Sequence, residues 1–289
     1  MKRTILLAAV ITAALPLSAI AHKQWLIPSQ AVVNGDDVWV TFDAAISNQL
    51  FHPDHVPMRT DNIVVTAPDG STAPVQNAST GKYRSTFDVQ LQQQGTYRIA
   101  NAGSGISATW DTAESLAAKE QAKAEGKPPT GPDAPRPGGF LRGATVEDLS
   151  TKVPKDARNL QVTESAYRVE TFVTNADTTP VRPIGKGLEL VPVTHPNDLF
   201  AGEAATFKIH LDGKPAAGLE IEAIRGGTRY RNAQGELKAV TDANGQFSLT
   251  WPEAGLYWLE TGTRDDKTSV KQASQRRLTY VVTLEVLPQ

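Results

Sequence analysis

From Trp25 onward the apolar residues of this chain recur at every second position, in short runs separated by clusters of glycine, proline, asparagine and aspartate. Val38-Trp39-Val40-Thr41-Phe42-Asp43-Ala44 follows the turn-forming Asn34-Gly35-Asp36-Asp37, and Ile63-Val64-Val65-Thr66 closes on Ala67-Pro68-Asp69-Gly70. Tyr83 to Val89 and Gln94 to Ala100 repeat the pattern, the second entered through Gly95. A period of two gives each segment one buried face. Many such segments at short intervals predict an all-β chain of sandwich type.

The same plan recurs in the second half. Asn34-Gly35-Asp36-Asp37-Val38-Trp39-Val40-Thr41-Phe42 parallels Ala201-Gly202-Glu203-Ala204-Ala205-Thr206-Phe207-Lys208-Ile209. Gln94-Gly95-Thr96-Tyr97-Arg98-Ile99 parallels Ala254-Gly255-Leu256-Tyr257-Trp258-Leu259. Two β-sandwich domains of immunoglobulin or transthyretin-like plan are expected, 22–182 and 188–289, hinged near Pro180 to Gly187. Within the second, Val240 to Leu249 reads as a strand, a tight hairpin turn over Asp242 to Gly245, and a strand.

One stretch breaks the rhythm. Between Asp111 and Ala157 the apolar alternation is lost, which marks an insertion of about 111–157 in the first domain. Thr112 to Gly126 is rich in Ala, Glu, Lys and Gln, favouring an exposed helix with little apolar face. Lys127 to Gly139 is proline-rich and reads as an extended connector.

The amino terminus carries an export signal. Lys2 and Arg3 precede an apolar run from Ile5 to Leu15, and Ala19 and Ala21 supply the small residues a signal peptidase reads. Residues 1–21 are therefore expected to be a signal peptide, with the mature protein starting at His22. The chain has no cysteine, which excludes disulfides, thiolate metal sites and a lipid-modified cysteine. A net charge of −2 gives no reason to expect nucleic acid as a partner. No later apolar run reaches the length of a membrane span. These features predict a periplasmic protein, exported through a cleaved signal.

An N-terminal histidine offers two nitrogens to one ion, because the α-amine and Nδ1 close a chelate ring. The amine, with a pKa of about 8, loses its proton for ligation more readily than a lysine. Of five histidines, His52 and His55 share a short loop with Asp54 in Phe51-His52-Pro53-Asp54-His55. Pro53 keeps that loop from becoming helical. Together, His22, His52 and His55 supply three or four nitrogens, with Asp54 as ligand or orienter. The set suits copper, nickel, cobalt or zinc and disfavours calcium. Against this stands the plain alternative of an exposed polar turn. His195, before a proline, is expected to be structural, and His210 a solvated strand residue. Among catalytic signatures, no Gly-x-Ser-x-Gly, His-Glu-x-x-His or phosphate loop is present, and no enzyme is expected.

Ala21-His22-Lys23-Gln24-Trp25-Leu26-Ile27-Pro28 resembles the mature start of a bacterial periplasmic family of unknown function. Its members are described as similar to the NikM-like component of nickel uptake. Leu188-Glu189-Leu190-Val191-Pro192, Asp198-Leu199-Phe200-Ala201-Gly202 and Asp242-Ala243-Asn244-Gly245-Gln246-Phe247 are similar to that family's closing domain, itself like the transthyretin-type modules of carboxypeptidase regulatory regions. The resemblance implies transition-metal handling, with His22 the one residue it carries over. The expected function is that of an accessory protein binding nickel, cobalt, copper or iron for a membrane transporter or outer-membrane receptor. Two other classes are open: an interaction module for protein or glycan, and a copper histidine-brace redox enzyme.

Overall fold

The computed structural model describes residues 22–128 and 134–289. The signal segment with its cleavage point after Ala21, and residues 129–133 of the proline-rich connector, lie outside the described residues. In the first half the strands are β1 (Lys23–Pro28), β2 (Val32–Val33), β3 (Val38–Ser47), β4 (Val56–Pro57), β5 (Ile63–Thr66), β6 (Thr72–Ala73), β7 (Gln76–Thr80), β8 (Ser85–Leu91) and β9 (Gly95–Asp111). Helix α1 (Ala113–Ala124), β10 (Gly139–Ala144), helix α2 (Val146–Lys152) and β11 (Arg158–Asn175) follow. The second half adds β12 (Leu188–Pro192), β13 (Ala204–Leu211), β14 (Lys214–Pro215), β15 (Glu220–Arg225), β16 (Leu237–Val240), β17 (Gln246–Thr250), β18 (Gly255–Asp265) and β19 (Gln275–Val286). The protein is all-β in class, as its alternation predicts.

The strands make three sheets. One runs β1-β3-β8-β7, with β4 also on β3. A long central sheet runs β16-β15-β18-β19-β11-β9-β5-β6, with β10 on β9 and β2 on β11. The third runs β12-β13-β14, with β17 on β13. The central sheet crosses from one half of the chain to the other through parallel pairing of β11 with β19, from Thr163↔Gln275 to Thr171↔Thr283.

Alternation along the central strands assigns the layers. Val169, Val173, Trp258 and Val281 belong to a core shared with Trp25, Phe42 and Phe87 of the first sheet. Their strand neighbours Phe172, Tyr257, Tyr280 and Val282 belong to another core, shared with Phe207, Phe247 and Trp251. Adjacent residues of a strand face opposite ways. The first and third sheets therefore cover opposite faces of the central one. Parallel pairing of the two closing strands, with opposite faces covered, is the arrangement that an approximate two-fold axis along the strand direction produces.

The internal repeat is visible in atomic detail. Gly95 and Gly255 both have positive φ, 120° and 138°, a conformation open to glycine alone. Two residues on, Tyr97 and Tyr257 are each 1% exposed and each bonds back to the backbone four residues upstream. The Tyr97 hydroxyl donates to Gln93 O at 3.1 Å and accepts from Gln93 N at 2.7 Å; the Tyr257 hydroxyl donates to Glu253 O at 2.8 Å. These are tyrosine corners, one per half.

Two local expectations are revised. The Asp242–Gly245 turn is tight, with Gly245 N donating to Asp242 O at 2.9 Å. However, β16 pairs with β15 in the central sheet, whereas β17 pairs with β13 in the third. The turn therefore carries the chain between layers and closes no hairpin. In the insertion, α1 is the exposed helix expected, with only Ala122 buried and Thr112 capping through Ser115 N at 3.2 Å. Beyond the proline-rich connector, residues 139–152 carry regular structure that their composition does not announce. Strand β10 adds to β9, and α2 is capped by Thr145 and Asp148 in a reciprocal box.

His195 is structural. Its Nδ1 accepts from Asn197 N at 3.2 Å, which places the ring proton on Nε2. That Nε2 reaches Thr179 O at 3.2 Å and Thr96 Oγ1 at 3.0 Å, joining β9, the hinge approach and the second half. Burial lowers its pKa below the ordinary value, offset in part by the bond to Thr179. A folded-state pKa below the unfolded one contributes stability above about pH 6.5 that is lost as pH falls through the folded value. His195→Gln should accordingly lose on the order of 1 kcal/mol at pH 7.5. It should also show a flatter fall in denaturation midpoint than the natural protein between about pH 6.5 and pH 5, since glutamine cannot be protonated there. Parallel urea titrations across that window check both.

Candidate functional site

Strand β3 ends at Ser47 with a strand on either side. β1 pairs along one edge, from Lys23↔Ser47 to Pro28↔Phe42. On the other edge β8 pairs as far as Ala44 and β4 takes over with Ala45↔Pro57 and Ile46↔Val56. His22 precedes β1 and His55 precedes β4, so both emerge beside the end of β3 from opposite sides. Their rings meet. The centroids are 3.9 Å apart with 9° between planes, and both residues are exposed.

The site rests on a buried anchor. Trp25, 1% exposed, donates from Nε1 to Ser47 Oγ at 2.8 Å, and Ser47 Oγ donates to Gln49 O at 2.6 Å. The Trp25 ring also meets the edge of Phe51 at 5.9 Å and 84°. Phe51 has a φ of 57°, and the amide of His52 donates to Gln49 O at 3.2 Å, closing the turn. The Asp54 carboxylate accepts from Asn48 N at 2.7 Å and Gln49 N at 3.3 Å. Asp54 thus braces the loop that carries His55.

His52 is drawn elsewhere. Its ring lies against Arg229, whose Nη1 is 3.1 Å from Nδ1 and 3.0 Å from Nε2. Arg229 sits in a single 3-10 turn, Thr228–Tyr230. The preceding Gly226 lies so close to Phe51 that a Cβ there would approach Cδ2 to 2.9 Å. A guanidinium beside the imidazole opposes a second cation at that ring. Of the four residues expected at the site, the structure brings His22 and His55 into contact, gives Asp54 to the backbone and pairs His52 with Arg229. Among the described residues no group of three or more His, Cys, Asp or Glu side chains is arranged to hold a metal ion.

Strand β1 is fixed to the central sheet just behind His22. Trp258 Nε1 donates to Gln24 O at 2.9 Å, and the Lys23 ammonium lies 4.3 Å from the Trp258 ring. Burial raises the pKa of Glu260, with Lys23 acting against that shift. Arg229, Trp258 and Glu260 escape a reading of sequence because they come from the other half of the chain. No short-range pattern links them to His22.

Stacked rings hold their in-plane lone pairs in two nearly parallel planes. One ion can take a nitrogen from each only after a ring turns about its side-chain bonds. Exposure on both sides leaves room for that rotation. With the α-amine of a chain starting at His22, the donors available are three nitrogens, a set that fits Cu(II), Ni(II), Co(II) or Zn(II).

A family described as a domain of unknown function (DUF4198) matches residues 19–265. No curated protein matches the chain. Solved structures with distant likeness include the D0-D1 domain of intimin, at 11% identity, covering 90% of this chain and 97% of that one, with a TM-score of 0.21. The human OSCAR ligand-binding domain gives 13% identity, coverage of 92% and 100%, and a TM-score of 0.19. Dimeric latent PorU from Porphyromonas gingivalis gives 11% identity, coverage of 90% and 20%, and a TM-score of 0.19. At such scores these likenesses carry no argument about function. No helix among the described residues is long and apolar enough to cross a membrane.

Proposed function

We propose that this chain, which belongs to the DUF4198 family of unknown function, is an exported transition-metal-binding protein whose site is built on His22. The observation that supports this most is the meeting of His22 and His55, ring on ring at 3.9 Å, from strands flanking the end of β3. Cleavage after Ala21 adds the α-amine, so His22 binds through amine and ring while His55 completes a three-nitrogen set. Asp54 keeps the His55 loop in shape, and His52 stays with Arg229 outside the ligand set. The protein works in the bacterial periplasm, holding nickel, cobalt, copper or iron for a transporter or receptor, the role that the family resemblance of its mature start implies.

The test has two parts. Intact mass of the exported protein should correspond to a chain beginning at His22. Titration of Cu(II), Ni(II), Co(II) and Zn(II) should then rank the ions, with His22→Ala and His55→Ala each weakening the best of them by about 100-fold or more. His52→Ala should change affinity by less than about tenfold. A mature chain starting elsewhere, or equal weak binding by all four proteins, sinks the chelate and leaves an interaction module as the better description.

A further inference from the structure

Between β15 and β16 the chain projects a turn whose charge is not balanced. Arg225 to Gln234 holds three arginines, Arg225, Arg229 and Arg231, and no acidic residue. Arg225 pairs with Glu253 at 2.8 Å. Arg229 reaches the His52 ring through Nη1 alone, and its Nε and Nη2 have no protein acceptor. Between Arg229 and Arg231 stands Tyr230. It is 83% exposed, ahead of Phe140 at 66%, and so the most exposed large apolar side chain among the described residues. Tyrosine and arginine are the side chains that most often carry binding energy at protein interfaces.

The turn is held in shape by its own backbone. Gly227 caps it with a φ of 76°, and Tyr230 N donates to Gly227 O at 3.0 Å. Arg231 Nη2 donates to Arg225 O at 2.6 Å and to Gln234 O at 3.0 Å, which ties the two ends of the segment together. Behind it, Gly226 abuts Phe51. A partner that meets this turn therefore has little backbone left to order, and ordering is a main cost of association.

We propose that this turn is a docking point for an acidic segment of a partner protein, with Tyr230 as the apolar contact and Arg229 as the charged one. A guanidinium presents a planar fork that a carboxylate fills with two bonds. Lipid headgroups and nucleic acid fit less well. The segment has no lysine and the whole chain carries a net charge of −2, so no broad positive field surrounds the arginines. Through Arg229 a docked partner sits against the loop that carries His52 and His55. The partner this suits is the transporter or receptor of the metal reading. That identity rests on the reading, whereas the docking rests on charge and exposure alone.

The test uses the full exported chain without metal, so its outcome is independent of ligation at His22. Fluorescence anisotropy follows a labelled decapeptide of glutamates with a central leucine, beside a lysine peptide of the same design. The glutamate peptide should bind saturably in about 0.02 M salt and about tenfold or more weakly in about 0.5 M. The lysine peptide should not bind. Arg229→Gln and Tyr230→Ala, both changes at exposed residues, should each weaken the glutamate peptide by about tenfold or more. Tyr83→Ala, at an exposed aromatic residue elsewhere, should leave its affinity unchanged. Binding should also move the NMR signals of the His52 imidazole and leave those of His195 in place. The proposal is overturned if the glutamate peptide shows no saturable binding, or if Arg229→Gln or Tyr230→Ala binds it as well as the natural protein does. Equal affinity for the lysine peptide, or an unmoved His52 signal, overturns it too. Retention on phosphatidylglycerol vesicles that is lost in Arg229→Gln would make the turn a membrane contact, which overturns it as well.

Discussion

Replacing Glu170 with alanine is expected to cost about 3–5 kcal/mol of folding stability, among the largest effects any single substitution in this chain should have. Glu170 is fully buried on β11, and its Oε1 accepts from the Tyr280 hydroxyl at 2.6 Å. Burial and the neighbouring carboxylate raise the Tyr280 phenol well above its usual pKa, so it remains a neutral donor. The Glu170 charge faces the guanidiniums of Arg98 and Arg168. Alanine leaves both cations in a low-dielectric interior and strips Tyr280 of its acceptor, so the penalty is the cost of stranded groups rather than the worth of one pair. Glu170→Gln keeps the acceptor and the volume while losing the charge, and should fall between alanine and the natural protein. Tyr280→Phe should cost only about 1–3 kcal/mol, because it removes one donor and strands no cation. Urea denaturation at constant m-value measures all three. Equal stability of Glu170→Ala and Tyr280→Phe would mean that the arginines find solvent or another anion when Glu170 is gone.

That cluster also shows where sequence reading stops. Arg98, Arg168 and Glu170 interrupt otherwise apolar strands, and an alternation argument assigns such residues to a wet face. Here the face is wet in neither direction, because the third sheet covers what would be the outside of a single sandwich. The alternation itself is reliable. Ile63–Thr66 forms a strand with the bounds its sequence suggests. Parity within β19 sends Tyr280 and Val281 to different cores. What alternation lacks is any mark of the parallel pairing between β11 and β19, which joins residues more than a hundred positions apart.

Strand length fails for a related reason. The run Asn101-Ala102-Gly103-Ser104-Gly105 has small residues and no apolar period, so alternation ends the strand entered at Gly95 at Ala100. It continues to Asp111 because β11 pairs with it throughout, and because Tyr167 lies where a Gly103 Cβ would come within 2.8 Å of its hydroxyl. The glycine is an adaptation to a partner, and the partner is invisible locally. The helix α2 is different. Its Thr145-x-x-Asp148 box is a local start signal, legible in principle and masked only by the proline-rich company it keeps. At the site, the nearness of His22 and His55 follows from local logic: a strand, a turn and a return along the same neighbour. The capture of His52 by Arg229 does not, since the two are 177 positions apart.

The Trp25 anchor makes the link between core and site testable. Trp25→Ala should destabilise the fold by about 3–5 kcal/mol, since it empties a fully packed position between the first and central sheets. It also frees Ser47 Oγ from its donor and removes the surface on which Phe51 rests. The loop from Asn48 to His55 is held at one end by that contact and at the other by Asp54. Losing Trp25 should therefore widen the range of positions open to His55 and weaken metal binding even in molecules that remain folded. Trp25→Phe separates the two contributions. It keeps most of the apolar volume and removes the N–H, at about 1–2 kcal/mol, and should leave metal affinity within about threefold of the natural protein. Ser47→Ala removes the same bond from the other side, together with the Ser47 link to Gln49, and should disturb the loop more than Trp25→Phe does for a similar loss of stability. A cycle over Trp25→Phe and Ser47→Ala should then show coupling of about 0.5–1.5 kcal/mol in stability. If Trp25→Ala and Trp25→Phe bind metal equally well under conditions where both are folded, the rigidity of the loop does not matter to the site. The α-amine and ring of His22 would then carry the affinity alone, with His55 a neighbour in contact and nothing more.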